Sequence, residues 1–149
     1  ASNLCTNWAC LSSLVSFYFW VFGMSADVKE LFDDALRLYE EALEDLRSGR
    51  LRKAAENAWC ATLRATNALI LAKTGKLPQY VPETRELLEE LAIKHPEIEK
   101  LIGRFYSRET FLHGHCFYLG RCPEEPVKRR VIETKAYIED AMRIAGLTG

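Results

Sequence analysis

The chain has 149 residues, 48% of them apolar and 28% charged, with 20 basic and 21 acidic side chains giving a net charge of −1. One hydrophobic core serves a chain of roughly this length, which excludes a multidomain enzyme, and eight glycines with five prolines exclude collagen-like and low-complexity chains. Five cysteines, odd in number and irregularly spaced, give no disulfide framework, so a reducing cytoplasm is the expected location.

Charge is unevenly placed. Every Lys, Arg, Asp and Glu lies between Asp27 and Arg143, so residues 1–23 carry none, while residues 24–149 are charged at 41 of 126 positions. Residues 1–23 end in an apolar run from Leu11 to Gly23, shorter than the ~20 residues that span a bilayer as a helix. The run has no basic flank and no small-x-small cleavage signal. It is expected to be an upstream or artificially appended hydrophobic extension, poorly integrated with the fold. The rival reading is an arm that docks on the domain or on a membrane surface. No membrane is expected as a partner of the domain at 24–149.

Residues 26–47 place Val28, Leu31, Phe32, Ala35, Leu38, Tyr39, Ala42, Leu43 and Leu46 at three- and four-residue intervals, the pattern of an amphipathic helix that Ser25 or Asp27 could cap. Ser48-Gly49 ends it, and a second helix runs from Arg50 to about Lys73, with Gly75 as terminator. Ala54, Ala58, Ala61, Ala65, Ala68 and Ala72 form a seam of small side chains along that helix. Such a seam lets another backbone approach closely. Leu77 to Pro82 reads as a connector, since each proline removes an amide donor. Helical spacing returns from Glu83 to Lys94, breaks at His95-Pro96, and resumes with Glu97 and Glu99 in a first turn. It continues through Phe105, Tyr106, Phe111 and Leu112, is interrupted by Gly114 and by Gly120 to Pro126, and closes with a helix from Val127 to Ala145. The predicted fold class is all-α, an antiparallel bundle of about five helices.

One stretch concentrates unlike polar groups between aromatics: Ser107-Arg108-Glu109-Thr110-Phe111-Leu112-His113-Gly114-His115-Cys116. Arginine is a permanently charged fork suited to phosphate, and histidine titrates near neutrality. Together they can cleave RNA without a metal. Histidine takes the 2′-hydroxyl proton, the oxygen attacks the adjacent phosphorus, and arginine stabilises the charge that builds there. On an unbroken helix Arg108 and His115 share a face while His113 points away; a loosened turn at Gly114 would bring His113 round instead. Both histidines stay open as the working base.

Between Lys100 and Arg130 there are seven basic and three acidic residues, whereas Asp27 to Leu46 has eight acids and two bases. That separation would steer a phosphate backbone toward the motif end. Arg104 and Arg121 are the expected phosphate contacts and Tyr106 a stacking surface for an unpaired base. Lys128, Arg129 and Arg130 form a charge run that reads first as a solvated face. Glu56, Asn57 and Arg64 on the second helix could line the same cleft. His113, His115, Cys116 and Cys122 are metal-ligand types, but no Cys-x-x-Cys knuckle accompanies them, so no metal and no cofactor are expected.

Arg108 followed after four residues by His113, late in an all-helical chain, resembles the Arg, four-to-six residues, His signature of the HEPN superfamily. The alanine-rich segment from Ala54 to Lys76 is similar to that superfamily's second helix, and the archaeal PaREP proteins within it resemble the chain over roughly residues 26–145. The resemblance implies a homodimer whose Arg108 and His113 face one cleft. It also implies RNA or a nucleotide as ligand and, in many members, metal-independent endoribonuclease activity of a toxin held by a nucleotidyltransferase-type antitoxin. Other members are non-catalytic binding modules or scaffolds. Here Glu109 follows the arginine, with a charge expected to offset part of that of Arg108, and His115 stands where adenylylated toxins carry a tyrosine.

Overall fold

The computed structural model describes residues 24–147. The expected extension at 1–23 lies outside the described residues. Five α-helices follow in order: α1 Met24–Arg47, α2 Leu51–Thr74, α3 Val81–Lys94, α4 Glu99–Ser107 and α5 Glu124–Ile144, with a 3-10 turn at Pro96–Ile98 before α4. Between α4 and α5 the chain runs as a π-helix from Arg108 to Tyr118. Among the described residues there is no strand, and no helix is long and apolar enough to cross a membrane.

Helix α2 is the axis of the bundle. From Ala54 to Leu71 every residue except Glu56 is buried, and α1, α3, α5 and the π segment all pack on it. The alanine seam makes this possible, because small side chains leave room for neighbouring backbones while Trp59, Leu63, Leu69 and Ile70 supply bulk between them. Each such large side chain contributes about 1.5–3 kcal/mol through burial. Buried polar groups on the same helix are matched across the interfaces. Asn57 donates to Asp45 at 2.7 Å, Thr84 donates to Asn67 at 2.8 Å, and the Thr66 and Tyr137 hydroxyls lie 2.6 Å apart.

Helix α1 runs antiparallel to α2 across a short turn in which Gly49 takes a positive φ of 74°. It buries Val28, Leu31, Phe32, Ala35, Leu38, Tyr39 and Ala42. It begins at Met24, so Asp27 lies within the first turn and not at a cap. Two other boundaries differ from the sequence reading. Pro82 lies within the first turn of α3, and α5 starts at Glu124 with Pro126 in its first turn. The amides of a first turn have no helical partner, so proline costs little there.

A disulfide joins Cys116 to Cys122, which corrects the expectation of no disulfide framework. The chain doubles back here through bonds from the Leu119 amide to Gly114 O and from the Arg121 amide to His115 O. This return brings the two cysteines together.

Asp27 is fully buried in α1, and neither carboxylate oxygen has a hydrogen-bond partner among the described residues. Burial, and secondarily the charge of Glu30, push its carboxyl above the ordinary value of 3.8. The folded chain therefore keeps this proton at a pH where the unfolded chain has lost it. Stability from this group falls as pH rises from about 3.8 through the raised value and then levels off. Asp27→Ala is expected to raise stability at neutral pH by about 1 kcal/mol, with the gain narrowing on acidification. Thermal melts of both proteins from acid to neutral pH check it.

Candidate functional site

The first turn of the π segment faces α5, and a cleft of about 390 Å³ opens there, lined by Arg104, Ser107, Arg108, Arg129, Arg130 and Glu133. Arg104 and Arg108 are one turn apart on one wall, and Arg129 and Arg130 stand on the other. Arg108 is only 3% exposed. Its guanidinium donates to Thr134 Oγ1 at 3.5 Å, Arg104 O at 3.4 Å and Arg130 O at 3.3 Å. It also lies 5.6 Å from the centre of the Tyr137 ring. These are long bonds to neutral acceptors, and among the described residues no carboxylate forms an ion pair with it. Desolvation pulls its pKa down, and the nearby Arg104 and Arg130 pull the same way against Tyr137 and Glu133. Tyr137, wholly buried beneath it, has its phenol pushed up to about 12 by burial.

The other arginines differ in how far they are satisfied. Arg104 donates to Asp140 at 2.7 Å and lies over the Tyr137 ring. Arg130 donates to Ser107 Oγ at 3.2 Å and to Pro126 O at 3.1 Å, with its guanidinium 4.1 Å from the centre of the Phe111 ring. Arg129 is exposed at the cleft wall. The basic run therefore divides: Lys128 pairs with Glu124 at 2.9 Å, while Arg129 and Arg130 turn into the cleft. Glu109 does not offset Arg108, because Arg85 of α3 takes it at 2.9 Å.

His113 points the other way, toward α2. Its Nδ1 lies 2.7 Å from Glu56 Oε1. Its ring packs against Trp59 at 5.8 Å, Phe117 at 6.2 Å and Tyr118 at 5.3 Å between centroids. His115 stacks on Phe111 at 5.5 Å, the ring that carries Arg130 on it. His115 is thus linked to the arginine cleft through Phe111 and Arg130, whereas His113 shares no hydrogen-bond partner with Arg108. This sidedness is the one expected of an unbroken helix and not of a turn loosened at Gly114, although ring contacts in the π segment recur at four and five residues.

The remaining expected residues are scattered. Tyr106 faces α3 in a hollow with Glu86, Glu89 and Glu90, and burial, with Glu89 beside it, pushes its phenol upward. That wall is acidic and apart from the arginine cleft. Arg121 is exposed in the turn after the π segment. Of the three α2 candidates only Glu56 reaches the motif; Asn57 bonds Asp45, and Arg64 pairs with Asp34 at 2.7 Å. The metal-ligand types are likewise dispersed, with Cys116 bonded to Cys122, His113 to Glu56, and His115 stacked on Phe111. Sequence reading overlooked Ser107, Arg129 and Arg130 as members of one wall-to-wall cluster, since only the packing of α5 on the π segment brings them together.

The model of the archaeal PaREP1/PaREP8 family, which is HEPN-related, matches residues 30–138, a span that includes Arg108, His113, Glu56, Arg129 and Arg130. No curated protein sequence and no solved structure matches the chain.

Arg108→Met tests whether this guanidinium serves the fold. Arg104 O also accepts from the Arg108 backbone amide, and Arg130 O from the Thr134 hydroxyl, so neither carbonyl is orphaned by the change. Removing a buried charge that has no carboxylate partner is expected to leave stability unchanged or raise it by about 1 kcal/mol. Denaturant unfolding checks this, and a loss above about 2 kcal/mol would assign Arg108 a structural role.

Proposed function

The chain belongs to the archaeal PaREP1/PaREP8 family, and from that premise we propose that it binds single-stranded RNA by its phosphate backbone in the Arg104, Arg108, Arg129 and Arg130 cleft. The observation that carries this reading is a buried guanidinium with no carboxylate, set beside two more that are free of ion pairs among the described residues. A permanently charged group held dry without a counter-ion is stabilised when an anion supplies one, and a phosphodiester has the charge and the acceptor oxygens to do so. Phe111 and His115, stacked beside Arg130, offer a surface for an unpaired base.

In this reading the protein acts as a homodimer in the cytoplasm and cleaves RNA without metal. His113 accepts the 2′-hydroxyl proton, the freed oxygen attacks phosphorus, and the 5′-oxygen leaves with a proton, giving a 2′,3′-cyclic phosphate and a 5′-hydroxyl end. Because His113 and Arg108 face different helices within one protomer, the reading requires the arginine cleft of a second copy beside His113. The Cys116–Cys122 bond is compatible with that location, since intracellular proteins of some archaea retain disulfides. The separation of His113 from Arg108 favours one alternative, a module that binds RNA or a nucleotide and does not cut.

End-labelled single-stranded RNA incubated with the chain in EDTA separates the two. Cleavage is expected, with His113→Ala reducing it by about 10²–10⁴-fold. Arg108→Met is expected to weaken binding by about 10- to 100-fold, the range for one charge-assisted contact. Cleavage that survives both substitutions overturns the site, and binding without cleavage, lost in Arg108→Met, supports the module. Absence of binding overturns both.

A further inference from the structure

Glu56 is the only residue between Ala54 and Leu71 that is not buried. It stands on α2 directly under the π segment, with its side chain 12% exposed and that of His113 30% exposed. The bond between Glu56 Oε1 and His113 Nδ1 is short, at 2.7 Å. An ionised carboxylate only accepts hydrogen bonds, so the proton of this bond belongs to the imidazole. In neutral His113 that fixes the proton on Nδ1 and leaves the lone pair on Nε2.

We infer that Glu56 is a positioning residue for His113, holding the imidazole in the Nδ1–H tautomer so that Nε2 is the proton acceptor. The inference rests on the reading of His113 as the base and adds to it the group that orients that base. Three rings keep the plane of the imidazole fixed, with Trp59 and Phe117 near its faces and Tyr118 edge-on. The rings are themselves held. Trp59 is buried against Phe105 in an edge-on contact at 5.2 Å. Arg52 donates to Phe117 O at 2.6 Å and to Tyr118 O at 3.2 Å, closing the end of the π segment. When Nε2 takes a proton, the ring becomes a cation with the Glu56 carboxylate already bonded to its other nitrogen. This is the arrangement by which a carboxylate orients a working histidine in other enzymes.

Two measurements on the full chain test this. Nitrogen-15 spectra of histidine-labelled protein, with His113 assigned by its loss in His113→Gln, are expected to show Nδ1 protonated and Nε2 bare in the neutral ring. Glu56→Ala is expected to shift His113 to the Nε2–H form or to a mixture. Glu56→Gln retains an acceptor oxygen and keeps the Nδ1–H form without the charge, and being isosteric it controls for folding. In RNA cleavage Glu56→Ala is expected to lower kcat on the order of 10- to 100-fold with KM unchanged, with Glu56→Gln intermediate. A wild-type His113 carrying its proton on Nε2, or a tautomer unmoved by Glu56→Ala, overturns the inference. So does an effect of Glu56→Ala on KM alone. If the wild-type chain does not cut RNA, the nuclease reading above fails, while the spectra still decide whether Glu56 sets the tautomer.

Discussion

Close approach of backbones along helix α2 is the constraint from which the rest of the structure follows. An alanine seam lets α1 lie against one side while α3, α5 and the π segment cover the others. With nearly all of its middle buried, the helix can present a polar side chain to a neighbour only where that neighbour supplies a partner. Asn57, Thr66 and Asn67 find theirs in Asp45, Tyr137 and Thr84. Glu56 finds His113. Placement of the imidazole is therefore a consequence of helix packing, since the carboxylate that meets it is fixed by the same contacts that bury Trp59 and Leu63.

The π segment converts that packing into a division of labour. Its i→i+5 turns are wider than those of an α-helix, yet Arg108 and His113 still face different neighbours. Arg108 at its start turns to α5, and His113 turns to α2. A guanidinium and an imidazole that are five residues apart in sequence thus occupy separate environments. One is dry and crowded with like charge; the other is lined with aromatic rings and anchored by a carboxylate. Arg85 and the disulfide help to hold this arrangement, the first by removing Glu109 from Arg108 and the second by tying the far end of the segment to the approach to α5.

Much of the fold was legible because helices announce themselves locally. Apolar residues at three- and four-residue spacing placed α1, α2 and the start of α4 to within a few residues, and Gly49 and Gly75 ended helices with positive φ as expected. The differences at Pro82 and Pro126 share a cause: proline breaks a helix interior, but each of these sits in a first turn and breaks nothing. The polar motif was also legible as a concentration of unlike groups. Its geometry was legible in part: a projection at 100° per residue gives the sidedness of His115 and His113 about Arg108, while nothing local marks the π register. Pairings such as Glu56 with His113, or Arg85 with Glu109, join residues 57 and 24 positions apart, and only the docking of helices creates them. The cysteine pair was hidden by an odd count that made every pairing look equally arbitrary.

An uncompensated guanidinium beneath the surface is the feature least explained by stability. Charge in a dry interior is costly, and a fold selected for stability alone would place a carboxylate beside Arg108 or a hydrophobic side chain in its position. Of the acids close at hand, Glu133 lines the cleft, exposed and in no ion pair among the described residues, and the others are engaged elsewhere. Glu109 is bound by Arg85, Asp140 by Arg104 and Arg143, and Glu124 by Lys128. Arg130 adds to the repulsion and is itself satisfied by a hydroxyl, a carbonyl and an aromatic face. Retaining several positive groups around one cleft, with Glu133 the one carboxylate in its lining, costs the free chain stability and suits the cleft to an anion from outside.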